Sequence, residues 1–173
     1  MSIVRILSLV TVAGVVHAAC AQAQNAPPPG PPPAVCTNSA ERHQFDFWIG
    51  EWKVTTAAGG EAGKSSVQPI AGGCALLENW TSRNGGQGKS INAYNPALKQ
   101  WQQYWIGQDG NPAEYRESSW SGKTLVFVAR APGIWQRLSF TPMEDGTVRQ
   151  FGEVSRDDGK TWTPTYDFRY HRM

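Results

Sequence analysis

The chain has 173 residues, with sixteen basic and fourteen acidic side chains and a formal net charge of +2. With no basic run and no acidic tail, composition argues against nucleic acid and anionic membrane as partners. The length suits one domain.

The first stretch stands apart from that domain. Arg5 precedes an apolar run over residues 6–16, and Ala21-Gln22-Ala23 then supplies small residues at both positions a signal peptidase reads. Residues 1–23 are therefore expected to be a secretory signal peptide, too short for a membrane span, and the protein to be periplasmic or secreted. A lipid anchor on Cys20 is the lesser alternative: Ala18 and Ala19 suit it, but His17 stands where an apolar residue belongs. No later stretch is long and apolar enough to cross a bilayer as a helix. Cleavage after Ala23 leaves Cys36 and Cys74, and an even count in an oxidising compartment predicts one disulfide between them, with two buried thiols as the alternative. Residues 24–35 hold APPPGPPPA, a polyproline tether, and the folded domain is expected over 36–173.

Ser39 can cap a short helix or turn over 40–48. Beyond it the punctuation is regular. Turn signals stand at Ala58-Gly59-Gly60, Gly72-Gly73, Asn84-Gly85-Gly86, Asn95-Pro96, Asp109-Gly110, Ser121-Gly122, Pro132-Gly133, Asp145-Gly146 and Asp158-Gly159. Asp-Gly and Asn-Gly pairs supply the positive φ of tight hairpins. Nine such turns divide the domain into ten segments that look like strands. KTLVFVAR (123–130) is β-branched and aromatic. WTPTYDFRYH (162–171) alternates, with Trp162, Tyr166, Phe168 and Tyr170 on one face. Ten antiparallel strands in sequence order form a meander, and closing it into a barrel removes both exposed edges. An all-β barrel of about ten strands is the expectation; an open sandwich is the alternative.

Two motifs carry resemblances. SRDDGKTW (155–162) resembles the Asp-box of sialidase propellers, but it occurs once, and a propeller needs repeated blades. It is expected to be a hairpin, with Asp157 accepting bonds from the turn, Gly159 taking the positive φ and Trp162 packing beneath. Gly50-Glu51-Trp52, within FDFWIGEW, resembles the Gly-x-Trp signature of lipocalins and other calycins. There the Trp plugs one barrel end under an Arg, a part that Arg169 or Arg172 could take by cation–π contact. With GGCALLENW, GKSINAYNP, Trp101 and Trp105, and Tyr170-x-Arg172, the chain resembles an uncharacterised family of bacterial exported proteins. That resemblance implies a calycin-like barrel and an envelope compartment, and brings no assigned reaction. Nitrobindin-type haem barrels are similar in outline, but their haem-bearing histidine has no match here. No cofactor is expected, and haem is the lesser alternative.

The chemistry is sparsely signalled. His43 and His171 lie at opposite ends of the domain, so neither a metal centre nor a Ser-His-Asp relay is expected. No Gly-rich phosphate loop separates a strand from a helix. Polar and aromatic residues in mid-strand remain. Glu78, Trp80, Asn92, Tyr94, Trp105, Glu117 and Arg137 are the candidates to line an internal pocket for a small organic ligand, apolar or amphipathic. The alternatives are an enzyme using the same cavity, with Glu78 or Glu117 as acid/base and Arg137 as anion stabiliser, or a solid barrel acting through its surface. Alternation gives the period of a strand but not which face is inner.

Overall fold

A computed structural model describes Gly30 and residues 39–173. The expected leader, most of the tether and Cys36 lie outside the described residues.

Eleven strands follow two short helical turns, Ala40–His43 and Asp46–Trp48. They are β1 (Gly50–Thr56), β2 (Glu61–Ile70), β3 (Ala75–Ser82), β4 (Gln87–Asn95), β5 (Gln100–Gly107), β6 (Pro112–Tyr115), β7 (Glu117–Ser121), β8 (Thr124–Ala131), β9 (Ile134–Pro142), β10 (Val148–Ser155) and β11 (Thr163–Arg172). Every strand pairs antiparallel with its sequence neighbour except β6 with β7, and β1 pairs antiparallel with β11. The sheet therefore curls into a nearly closed barrel, as expected.

The eleventh strand has a simple origin. The segment 112–121 holds no turn. It bends at Arg116, so that its first half pairs with β5 and its second half with β8. Nine reversals then separate β1 from β11, and an odd number makes them antiparallel. The seam beside Arg116 is stitched by side chains: Gln100 and Gln102 both donate to the Arg116 carbonyl, at 2.9 and 3.1 Å.

The bend also shifts the alternation by one residue. Tyr115 is buried, but beyond Arg116 it is Ser118 and Trp120 that lie opposite the buried Phe127 and Leu125. Glu117 is thereby turned outward.

One end of the barrel is solid. Phe45 stacks on Trp48 with centroids 5.1 Å apart, and Phe140 lies 4.9 Å from Phe45 and 4.6 Å from Trp48. All three are fully buried, as is Trp52, whose indole N–H donates to the Trp48 carbonyl at 2.9 Å. Burying each ring stabilises the fold by about 3 kcal/mol before entropy is counted. Arg172 lies across Trp52, its guanidinium 4.5 Å from the ring centre. A Cβ on Gly50, where φ is +145°, would stand 2.6 Å from that guanidinium, so Gly50 makes room for the stacking. Arg169, the other residue considered for this part, faces outward and donates to Thr147 Oγ1 at 3.2 Å. The Arg over the plug is Arg172.

The 155–162 segment is the hairpin between β10 and β11. Ser155 Oγ donates to Asp157 Oδ1 at 2.8 Å and accepts from the Gly159 N–H at 2.8 Å. Asp157 also accepts from the Thr161 N–H and hydroxyl, at 2.8 and 2.6 Å. These bonds hold its carboxyl down at about 2, chiefly through the Thr161 hydroxyl. Gly159 takes φ +85° and closes over Trp135, while the Trp162 N–H donates back to the Gly159 carbonyl at 3.0 Å.

Candidate functional site

The other end of the barrel is hollow. A cavity of about 800 Å³ opens between the start of β2 at Glu61 and the loops that carry Arg83, Asp109 and Asn111, and descends to Glu78 and Tyr170. Its size falls within the range of small-molecule sites. Two inward positions on the surrounding strands, Gly88 on β4 and Gly152 on β10, carry no side chain and so leave room for neighbouring rings. A Cβ on Gly88 would stand 2.3 Å from the Trp105 ring, and one on Gly152 would stand 2.5 Å from the Tyr166 ring. With hydrogen in those places the rings lie flat against the wall instead of filling the space.

The walls are aromatic. Trp80 stacks on Phe168 with centroids 5.9 Å apart, and Phe168 stacks on Tyr166 at 4.8 Å. Trp105 and Tyr115 complete the lining from β5 and β6. Burial pushes the Tyr115 hydroxyl up to about 12, and holds those of Tyr166 and Tyr170 well above the ordinary tyrosine range. All three are neutral hydrogen-bonding groups at physiological pH.

The floor is polar. Glu78 is 2% exposed and accepts from Ser65 Oγ at 2.9 Å and Ser90 Oγ at 3.0 Å. The Tyr170 hydroxyl lies 3.4 Å from Glu78 Oε1 and 2.8 Å from Gln150 Oε1. Its single proton serves the nearer acceptor, Gln150. Asn92 donates to Ser90 Oγ at 2.9 Å and accepts from Gln103 at 2.7 Å, which extends the network across β4 and β5. Among the described residues no cation lies within ion-pair distance of Glu78. Burial therefore dominates, against the pull of the Ser65 and Ser90 bonds, and pushes the carboxyl up to about 7.

Of the seven residues expected to line a pocket, Glu78, Trp80 and Trp105 do so. Asn92 lies beneath the floor, fully buried in its network. Tyr94 packs against Trp101 at the plugged end, 6.2 Å between centroids, under Arg42. Glu117 and Arg137 are outside. Glu117 is turned out by the bend at Arg116 and pairs with Arg130 on the surface. Arg137 alternates with the inward Gln136 and Leu138, so it faces out, bound to Glu153 by two hydrogen bonds at 2.7 and 2.8 Å and stacked 4.3 Å from the Trp162 ring. It stands away from any charge developing in the cavity, as does Glu117.

The sequence reading missed Gln103, Tyr115, Gln136, Gln150, Tyr166, Phe168 and Tyr170 as cavity residues. For three of them a signal exists, because Tyr166, Phe168 and Tyr170 alternate onto one face of the last strand; Trp162, expected on that same face, lies outside against Arg137 instead. Neither described histidine reaches the cavity. His43 pairs with Asp46 at 2.7 Å, and His171 faces outward beside Thr55 Oγ1 at 3.1 Å. The cavity thus offers a haem iron no histidine among the described residues. No group of three or more His, Cys, Asp or Glu among the described residues is placed to hold a metal ion. No described helix is long and apolar enough to cross a membrane.

Fold and site together define a nearly closed antiparallel barrel, consistent with the calycin-like class, with an aromatic and polar chamber open at one end. No protein-family model matches the chain, and no curated protein matches it significantly.

Proposed function

We propose that this is an exported barrel protein that binds a small apolar or amphipathic molecule in its chamber. The observation that carries the reading is the cavity of about 800 Å³, walled by Trp80, Trp105, Tyr166 and Phe168 and floored by Glu78. A fold that needed only a filled core would place larger side chains at Gly88 and Gly152. Export rests on the leader in residues 1–23, and the Cys36–Cys74 bridge, as proposed, clips the domain start to the barrel. Native mass spectrometry of the protein from the cells that make it is the test. The expected result is a bound mass of a few hundred daltons, typical of cavity ligands, that is lost on denaturation. Only the bare polypeptide mass, before and after, would count against the reading.

The position of the Glu78 carboxyl favours a second reading. A group poised at about 7 is suited to general acid/base work on a bound molecule. Incubating the released ligand with Glu78→Gln and with the unaltered protein separates the two. Turnover lost in the variant supports an enzyme; no turnover by either supports a carrier.

A further inference from the structure

We propose that the chamber takes a protonated organic amine with a flat apolar body, the ammonium on Glu78 and the body against the aromatic walls that Trp80, Trp105, Tyr166 and Phe168 form. This rests on the carrier reading above and goes further, to the charge of what is carried.

The argument starts from an imbalance. Among the described residues, three carboxyls, Glu61, Glu78 and Asp109, border the cavity, against one guanidinium, that of Arg83 near the mouth. Glu78 is the deepest of them, and every group around it is neutral: Ser65 from β2, Ser90 and Asn92 from β4, Gln103 from β5, Gln150 from β10, and Tyr166 and Tyr170 from β11. A buried carboxyl without a counter-ion weakens a fold, and a Gln of the same shape would accept the same serine bonds. A ligand cation supplies the missing partner. A carboxylate holds about four lone-pair positions, so the serine bonds leave room for an ammonium.

The walls agree with that assignment. Aromatic faces carry negative potential and attract a cation placed over them. Trp80, Phe168 and Tyr166 form a run of nearly parallel rings, with interplanar angles of 18° and 25°. An anionic ligand would meet Glu78 below and Glu61 and Asp109 at the mouth.

A pH dependence follows. Burial keeps Glu78 partly protonated near neutrality, and an arriving ammonium favours the ionised form. Binding of an amine therefore releases a proton and tightens as pH rises through about 7, while a neutral ligand shows no such rise.

Isothermal titration calorimetry with three indoles that differ in one group tests this: tryptamine, tryptophol and indoleacetate. At roughly pH 8 tryptamine is expected to bind at least about tenfold tighter than tryptophol, with indoleacetate weakest. The tryptamine advantage should shrink as pH falls toward about 5, and in Glu78→Gln the ratio should drop to near one. The pH series on the unaltered protein carries the test even if the variant fails to fold. If tryptophol matches tryptamine throughout, the amine assignment falls and small-molecule carriage stands. If the tryptamine preference survives in a folded Glu78→Gln, the assignment of the ammonium to Glu78 falls. If none of the three binds at millimolar concentration, the carrier reading falls and takes this inference with it.

Discussion

Glu78 is the residue on which most of the chemistry turns, and its burial has a consequence for stability. The carboxyl rises from an ordinary 4.5 to about 7 on folding. The folded protein therefore keeps a proton that the unfolded chain gives up. The stabilisation is full below about 4.5 and is lost as pH climbs through about 7, a fall of about 3 kcal/mol. Thermal unfolding at roughly pH 5 and pH 8 checks this: Tm should drop more for the unaltered protein than for Glu78→Gln, which cannot titrate. Asp157 shifts the other way and acts only in acid, outside this window. Equal drops in the two proteins would contradict the account. Glu78 and Trp80 were legible as a pair because they share one strand face with Leu76. Arg137 was not, because β9 is amphipathic on both faces: Trp135 lies outside, 4.5 Å from the Arg130 guanidinium, while Leu138 and Phe140 lie inside. Apolar residues on both sides hide the sign of the alternation.

Among the elements, the β10–β11 hairpin is the most locally determined. Its bonds join residues at most four apart in sequence, so eight residues sufficed to recognise it. Ser155 is 1% exposed and lies at the centre of that web. Replacing it with alanine leaves the Gly159 N–H without its acceptor, at a cost of about 1–2 kcal/mol. The urea midpoint of Ser155→Ala should fall with the m-value unchanged, and ligand binding should be unaffected. A midpoint equal to that of the unaltered protein would show the web to be dispensable. The split between β6 and β7 could not be read in this way. Glu114-Tyr115-Arg116-Glu117 contains no turn residue, and the bend is imposed by two different pairing partners, β5 and β8. Information held across the barrel is absent from the local string, and the misplacement of Glu117 follows directly from that.

At the scale of the whole molecule, the count of reversals decided the fold. Nine turns make the first and last strands antiparallel, and the β1–β11 ladder from Trp52 opposite Arg172 to Thr56 opposite Phe168 completes the circuit. That much was legible from evenly spaced glycines. The division of the interior into a solid aromatic end and a hollow end was not. It depends on Gly88 and Gly152, two glycines that mark no turn and lie within β4 and β10 where they leave room for the Trp105 and Tyr166 rings. The central claim is that these positions keep a ligand chamber open. Titration with phenylnaphthylamine, a neutral apolar dye that brightens on leaving water, tests it most directly when the unaltered protein is compared with Gly88→Val, both verified as folded by circular dichroism. The account predicts saturable one-to-one binding to the unaltered protein and at least about tenfold weaker binding to the variant, whose side chain drives Trp105 into the chamber. No saturable binding to the unaltered protein, or equal affinity for both, would contradict it.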